Sequence, residues 1–270
     1  MASYQPEKLL ILANTYPNPS AKHRETNCVA AVTESGQMRR LYPVPYRLLD
    51  DGGKFKKWEW ISAGITKAAG DHRPESYRID VDSIMLHGQV PTANGWEKRI
   101  DQIRPHMVDN FRLLEDRRQQ SGETLGVMGP VELIGLDITP HKDSEWTQQE
   151  LSKLNQDGLF DSEEVRNRVP LRKVPYQFHY RYRSGGVEYR HMITDWEAGT
   201  LYWRCVQRYG PNWEEKFREK LLTEFGTQKD LLFLMGTVHR FPDIWLIVSL
   251  IYPPRGAWSR PQQGSLFDQF

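Results

Sequence analysis

Three apolar runs close to the N-terminus decide the fold: KLLILANT at residues 8–15, NCVAAVT at residues 27–33 and QMRRLYPV at residues 37–44. Each run has the length and aliphatic content of a buried β-strand. The tripeptide ESG at residues 34–36 is a glycine-containing link of turn length, which joins the second run to the third as a hairpin. Two similar runs follow at residues 55–61 and 79–86. The N-terminal half is therefore predicted to form a small, barrel-like β-sheet.

The middle of the chain has a helical pattern, and the C-terminal part returns to strands. Apolar residues from Trp96 to Leu114 repeat at about 3.6 residues, and Pro105 is expected to split that segment. A hairpin is predicted at residues 175–191, followed by two helices and by final strands at residues 231–238 and 244–252. The predicted class is α+β, with a β-rich N-terminal half, a helical middle, a C-terminal hairpin, two helices and two strands.

The domain organisation follows from where the patterns stop. Residues 139–170 are polar and are predicted to be an excursion, with a short helix at residues 144–154. After Pro254 the chain has no periodicity. We predict one compact domain over residues 1–258 and a flexible C-terminal peptide over residues 259–270.

Composition excludes several classes of protein. No apolar run approaches the roughly 18 residues of a transmembrane helix, and the N-terminus lacks a signal-peptide pattern, so we expect a cytoplasmic protein without a membrane partner. Two cysteines cannot build a disulfide framework. The net charge of +1 gives no bulk attraction to a polyanion. Arginine outnumbers lysine 23 to 13, which suits phosphate binding but also arises from codon bias in a GC-rich genome.

The end of the chain reads QQGSLFDQF at residues 262–270, although a flexible tail is expected to be polar. Within it, QGSLF resembles the short peptide by which bacterial DNA-metabolism proteins bind the sliding clamp: a glutamine, two variable residues, an aliphatic and an aromatic. The resemblance implies that Leu266 and Phe267 fill a hydrophobic pocket of the clamp, while the Gln263 amide bonds at its rim. The alternative is that these apolar side chains dock on the protein's own core.

The predicted hairpin carries a row of basic side chains. On a strand, His179, Arg181 and Arg183 share one face, and the return strand adds Arg190. A ribbon with such a face is a candidate surface for nucleic-acid phosphates. The alternative is an ordinary amphipathic hairpin with tyrosines in the core and solvated arginines.

Four proline-containing polar loops in the N-terminal half resemble the loop-borne pocket of a small barrel. The polar groups expected at this pocket are His23, Arg47, Arg73 and Glu75, and the two arginines are also candidates for contacting nucleic acid. Cys28 lies close in sequence to His23 and Glu25, which makes these three weak candidates for nucleophilic catalysis. Because Cys28 precedes the apolar run VAAV, the alternative is a buried core residue.

Asp195 is a further weak catalytic candidate, because His191 and Glu197 are its neighbours in sequence. Thr194 and Glu197, however, have the spacing of a capping box, which accounts for the glutamate without a metal. Phosphate-binding loops, HExxH and paired CxxC motifs are absent from the sequence. We therefore predict no metal site and no cofactor.

These observations favour a DNA-associated accessory or processing protein of bacterial replication or repair, with the sliding clamp and DNA or another nucleic acid as partners. Its tail would bind the clamp, and arginine and aromatic side chains would contact the nucleic acid. The alternative is an enzyme acting on a nucleotide, modified base or other small molecule in the pocket of the N-terminal loops. A purely structural interaction module is a third possibility. The sequence leaves open whether the protein is an enzyme.

Overall fold

The computed structural model describes residues 3–156 and 169–258, and it confirms the α+β class. The strands are β1 (Gln5–Asn14), β2 (Asn18–Ser20), β3 (Arg24–Thr33), β4 (Met38–Val44), β5 (Glu59–Lys67), β6 (Ser76–Gln89), β7 (Met107–Val108), β8 (Leu125–Met128), β9 (Glu132–Pro140), β10 (Tyr176–Ser184), β11 (Val187–Ile193), β12 (Leu232–Val238) and β13 (Phe241–Ile251). The helices are α1 (Ala93–Ile103), α2 (Phe111–Ser121), α3 (Gln148–Leu154), α4 (Trp196–Tyr209), α5 (Trp213–Arg218) and α6 (Phe225–Gln228).

Five N-terminal strands close into a barrel, which confirms the predicted barrel-like sheet. Strand β1 pairs with both β3 and β5, β3 pairs with β4, and β5 pairs with β6, all antiparallel. Strands β4 and β6 close the ring as a parallel pair, with Arg40 opposite Ser76. This order is that of the five-stranded Greek-key barrel known as the OB-fold. Leu9, Ile11, Val29 and Leu41 fill its interior.

A seven-stranded sheet follows the barrel, in the order β7-β8-β12-β13-β11-β10-β9. The predicted hairpin is its β10–β11 pair, whose turn residues Gly185 and Gly186 have φ values of 58° and 81°. Positive φ at both turn positions is the conformation that suits a tight hairpin and that glycine adopts without strain.

The barrel and the sheet share a hydrophobic cluster. Leu10 and Leu12 alternate with the interior residues of β1, so they point outward and pack with Leu232, Leu234 and Ile251 of the sheet. The opposite face of the sheet carries a second cluster with residues of α4, α5 and the segment after α5. The molecule is thus layered as barrel, sheet and helices.

Three charged side chains cross from the barrel to the sheet, and we call them the barrel–sheet clamp: Arg40, Arg73 and Glu75. Nη1 of both arginines donates to the Thr237 carbonyl, at 3.0 Å from Arg40 and 2.8 Å from Arg73. The Arg40 Nη2 also donates to the Thr124 carbonyl at 2.9 Å, and the Glu75 carboxylate accepts from the Thr124 backbone N–H at 2.6 Å. All three side chains are buried, so their hydrogen bonds lie in the low-dielectric interior, where such bonds are stronger than in water.

The predicted capping box at Thr194 is wrong. The N-cap of α4 is Asp195, whose carboxylate accepts from the Glu197 backbone N–H at 2.7 Å. The Thr194 hydroxyl instead donates to the Ile247 carbonyl at 3.2 Å, because β11 runs beside β13 at this point. A side chain committed to the neighbouring strand is not available as a cap.

Other local predictions hold with shifted boundaries. Pro105 does split the helical middle, since α1 ends in a short 3-10 turn at Arg104–His106 before β7 and α2. In the polar stretch, α3 begins at Gln148 rather than residue 144, and Thr147 and Glu150 form its capping box. Residues 157–168 and the C-terminal peptide 259–270 lie outside the described residues. Across the two described ranges, every helix is too short or too polar to traverse a bilayer.

Candidate functional site

A cleft of about 990 Å³ lies between the barrel and the sheet. Its barrel side is made by two loops, residues 15–18 before β3 and residues 68–73 before β6, together with Arg40 and Tyr42 of β4. In barrels of this topology, oligonucleotides and oligosaccharides bind across the second and third strands and between these same two loops. The cleft therefore lies on the face where barrels of this topology bind their ligands, and the sheet forms its opposite wall.

The opposite wall comes from the C-terminal half. This side is lined by residues 237–241, from the end of β12 to the start of β13, and by residues 173–178, which include the start of β10. Trp146 and Glu150, from the polar stretch around α3, cover one end. The cleft is thus built from segments that are far apart in sequence.

Two large aromatic side chains are exposed at the cleft. Tyr42 on the barrel side is 50% exposed and Phe241 on the sheet side is 60% exposed. In proteins that bind single-stranded nucleic acids, bases stack on exposed aromatic rings of this kind, because every base offers a flat π-face. The sequence predicts neither ring as a binding group: Tyr42 lies in a predicted strand and proline-containing segment, and Phe241 lies between the two final predicted strands.

Two exposed arginines line the same cleft. They are Arg78 and Arg240, and neither forms an ion pair with a described residue. An arginine without a carboxylate partner is available to pair with an anionic ligand, and the planar guanidinium matches the geometry of a phosphate. No local pattern in the sequence distinguishes these two from the other arginines.

The loop before β3 is held rigidly against α4. The Tyr16 hydroxyl donates to the Arg172 carbonyl at 2.9 Å and accepts from Trp203 Nε1 at 3.0 Å. Gly199 allows this packing, because a Cβ at that position would lie 2.3 Å from the Tyr16 ring. Burial raises the pKa of the Tyr16 phenol, so the hydroxyl stays protonated and able to donate. This side of the cleft is preformed.

Cys28 lies half-buried on the barrel side of the cleft. Burial raises the pKa of its thiol, and the charged groups that influence it are Arg40, Arg73 and Asp71. His23 and Glu25, its neighbours in the predicted nucleophilic group, are not among them, and the Glu25 carboxylate is ion-paired with Arg47 at 2.9 Å. A protonated thiol without an adjacent base is a weak nucleophile.

The basic side chains of the β10–β11 hairpin are paired with carboxylates. Arg181 and Arg190 share Asp137 of β9, at 3.0 and 2.8 Å, and Arg183 lies 2.8 Å from Glu132. Burial lowers the pKa of His179, the remaining predicted member of this face. Two carboxylates of the neighbouring strand β9 therefore offset much of the charge of the three hairpin arginines.

Asp195 is buried, and its carboxylate is hydrogen-bonded to backbone groups of the fold. Besides capping α4, its carboxylate accepts from the Leu250 backbone N–H at 2.7 Å and lies 3.9 Å from Lys57 Nζ. His191 is engaged elsewhere, with Nδ1 at 2.9 Å from the Tyr182 hydroxyl. Of the polar groups predicted for the pocket, Arg73 and Glu75 belong to the barrel–sheet clamp. Of these two residues, Arg73 also borders the cleft and Glu75 does not.

One group of side chains at the mouth of the cleft has ligands for a metal. Asp71, His72 and His239 each offer one donor atom, and these atoms lie within 4.8 Å of one another. Asp71 and His72 lie in the loop before β6, and His239 follows β12. The sequence did not reveal this group, because nothing local connects the two loops.

Several solved structures align with the chain at low similarity, among them the following two. The crystal structure of the tetrameric p202 HIN2 is 8% identical, covers 94% of each chain and has a TM-score of 0.31. The structure of a Replication Protein A heterotrimer bound to ssDNA is 10% identical, covers 96% of this chain and 68% of the other, and has a TM-score of 0.29. Such TM-scores establish no shared fold, so the barrel topology rests on its own strand pairings.

Two family models match successive parts of the chain, and no curated protein matches it. A domain of unknown function, DUF8758, matches residues 5–105, which hold the barrel and α1. A second domain of unknown function, DUF8757, matches residues 108–270, which hold nearly all of the seven-stranded sheet and amount to well over half of the chain. The chain therefore belongs to the DUF8757 family.

Proposed function

We propose that this protein binds unpaired nucleotides of a nucleic acid in the cleft between the barrel and the sheet. The observation that carries the proposal is the position of the cleft on the ligand face of a five-stranded Greek-key barrel, with Tyr42 and Phe241 exposed on its two sides. A base within a duplex is stacked on both faces. Only an unpaired base presents its face to these rings, which favours a single strand over a double helix.

The charges of the cleft suit the same ligand. Arg78 and Arg240 are exposed and without an ion-pair partner among the residues described, and in this proposal they contact the phosphates of a strand whose bases lie on the aromatic rings. The cleft volume of about 990 Å³ also lies at the upper end of the range for small-molecule sites, roughly 300–1,000 Å³. A free nucleotide in the same cleft is therefore the second candidate, and it preserves the enzymatic alternative.

Replacing the exposed rings is expected to weaken binding of a fluorescent single-stranded oligonucleotide about tenfold for each ring, since base–aromatic stacking contributes roughly 1–3 kcal/mol per base. The variants are Tyr42→Ala and Phe241→Ala, measured by fluorescence anisotropy at two salt concentrations. Tyr209→Ala is the matched control, because this tyrosine is also exposed but lies outside the cleft. Equal affinity in all four proteins would remove the cleft from the proposal.

Two further arms of this assay separate the alternatives. The pair Arg181→Gln/Arg183→Gln tests the hairpin face, and the pair Arg78→Gln/Arg240→Gln tests the cleft. We expect only the cleft pair to reduce the salt slope, by about one to two units, because the hairpin arginines are already paired with carboxylates. Displacement of the oligonucleotide by an equimolar mononucleotide would instead favour the small-molecule function.

We further propose that residues 263–267 recruit the protein to a bacterial sliding clamp, so that the cleft acts on DNA during replication or repair. The support is the QGSLF sequence alone, with Gln263, Leu266 and Phe267 as anchors. A peptide that is free before binding must recover its ordering entropy from a few buried side chains.

Removal of residues 259–270 is expected to abolish binding to a purified clamp while leaving oligonucleotide binding unchanged. The measurement is surface plasmon resonance with the clamp immobilised. Leu266→Ala/Phe267→Ala is expected to match the truncation, and Asp268→Ala in the same peptide is the control that should retain binding. Clamp binding by the truncated chain at full strength would refute the recruitment without affecting the cleft.

A further inference from the structure

We propose that Asp71, His72 and His239 form a binding site for a divalent transition metal of the zinc class at the mouth of the cleft. Three donor atoms, one from each side chain, lie within 4.8 Å of one another. His239 Nε2 lies 3.8 Å from Asp71 Oδ1, and the two imidazole rings are stacked with centroids 5.5 Å apart. This proposal does not rest on the proposed nucleic-acid binding.

The donor set selects the kind of metal. Two imidazole nitrogens and one carboxylate oxygen are ligands that zinc and its neighbours in the first transition row accept. Magnesium and calcium prefer shells made entirely of oxygen, which this group does not offer. The chemistry therefore points to zinc, with cobalt and nickel as probes of the same site.

The geometry requires only small side-chain rotations. Zinc–ligand bonds of about 2.0–2.1 Å place tetrahedral ligand atoms roughly 3.4 Å apart. One donor pair is already at 3.8 Å, and the remaining separations stay within 4.8 Å. His72 and His239 are both exposed, so their rings are free to turn toward a shared ion.

The backbone around the site is fixed by hydrogen bonds. Arg73 holds the Asp71 carboxylate with its backbone N–H at 3.1 Å, Nε at 2.9 Å and Nη2 at 2.6 Å. The Nη1 of the same arginine donates to Thr237, two residues before His239. Arg73 thus orients the carboxylate ligand and also ties the Asp71 loop to the segment that carries His239. Outer hydrogen bonds of this kind are what hold metal ligands in position.

The coordination would be incomplete with protein ligands alone. Three donors leave the fourth position of a tetrahedral zinc open to water or to a ligand oxygen. Asp71 and His239 both line the cleft, so an ion held by this group would border it. His72 has no hydrogen bond to any residue within the described ranges, which leaves its ring available as a ligand.

The experiment is titration of the purified, metal-free chain with Zn²⁺ by isothermal calorimetry, without nucleic acid, followed by Co²⁺ absorption spectroscopy. We expect one equivalent to bind, with affinity reduced at least thirtyfold in His72→Ala and in His239→Ala. His87→Ala is the control, because this histidine is exposed on the barrel and bonded to Ser62 rather than to the proposed site. Asp71 is left intact, since its loss would also release Arg73.

A thermal readout complements the titration. Bound Zn²⁺ connects the loop before β6 to the segment after β12, so it is expected to raise the midpoint of thermal unfolding of the wild type but not of the two histidine variants. The metal-free variants should unfold at the wild-type temperature, because both histidines are exposed. Absence of stoichiometric binding in the wild type, or undiminished binding in both variants, overturns the site.

Discussion

Replacement of Glu75 by alanine is expected to lower the free energy of unfolding by about 3–5 kcal/mol, which is a large part of the stability of an ordinary domain. The Glu75 carboxylate accepts three hydrogen bonds from the sheet: the Thr124 N–H at 2.6 Å, the Thr124 hydroxyl at 2.8 Å and the Leu125 N–H at 3.3 Å. Its removal leaves these donors buried without an acceptor. The cost of an unsatisfied buried donor is about 1–3 kcal/mol each, partly relieved by relaxation.

The same substitution also removes a negative charge from beside the two buried arginines of the barrel–sheet clamp. Within the described ranges, the Arg40 side chain bonds to uncharged groups alone, the Thr237 carbonyl and the carbonyl and hydroxyl of Thr124. Without Glu75 the positive charge of Arg40 is buried with less compensation, which adds to the loss.

The measurement is urea denaturation followed by tryptophan fluorescence. Glu75→Gln is expected to lose less than Glu75→Ala, because the amide oxygen still accepts a bond, and it gives a usable value should the alanine variant not fold. Glu34→Ala is the control: its ion pair with Lys8 is exposed, and such pairs contribute at most about 1 kcal/mol. If Glu75→Ala loses no more free energy of unfolding than the control, the barrel–sheet clamp does not hold the barrel to the sheet.

The strands of the barrel were predictable because their apolar runs are local signals. Leu9 and Leu10, both fully buried, show what the apolar pattern predicts and what it does not predict. A continuous apolar run predicts a strand buried on both faces, but it does not say that one face meets a barrel interior and the other a second sheet. That second sheet is formed by residues far along the chain, and no local spacing encodes the partnership.

The candidate site was harder to predict because charge and ligation depend on strand neighbours. Arg181 and Arg183 form a basic row in the sequence, yet Asp137 and Glu132 of the adjacent β9 balance them. The approach of His239 to Asp71 has the same origin, since it depends on how the β12–β13 connection meets the barrel. Pairing between strands that are distant in sequence is a tertiary property. Residue spacing predicts pairing only for the two strands of a hairpin.

The second large effect is a pH dependence of stability centred on His191. This histidine packs among Phe111, Tyr182 and Tyr189, with ring centroids 4.7–6.3 Å away. Burial among these rings, followed by the nearby His179, lowers the pKa of His191 to about 4. The ordinary pKa of an unfolded histidine is about 6.5, so the unfolded chain binds a proton more readily than the folded one.

The sign of the effect follows from this difference. Above pH 6.5 both states are neutral at His191 and the full stability is present; as the pH falls toward 4 the unfolded state takes up the proton, and stability is lost. A shift of about 2.5 units corresponds to a loss of up to about 3 kcal/mol over this window. The lowered pKa of Glu115, to about 2, acts at more acidic pH, so the two contributions are separable.

The expected result is that His191→Gln loses less stability than the wild type between pH 6.5 and pH 4, by up to about 3 kcal/mol, in urea denaturation measured at intervals of pH. Glutamine keeps an acceptor for the Tyr182 hydroxyl, which lies 2.9 Å from His191 Nδ1. Tyr182→Phe is the matched control: it removes that bond but leaves the imidazole buried, so its stability should be lower at every pH with nearly the wild-type slope. Parallel curves for the wild type and His191→Gln would show that this imidazole is not the group whose protonation opposes folding.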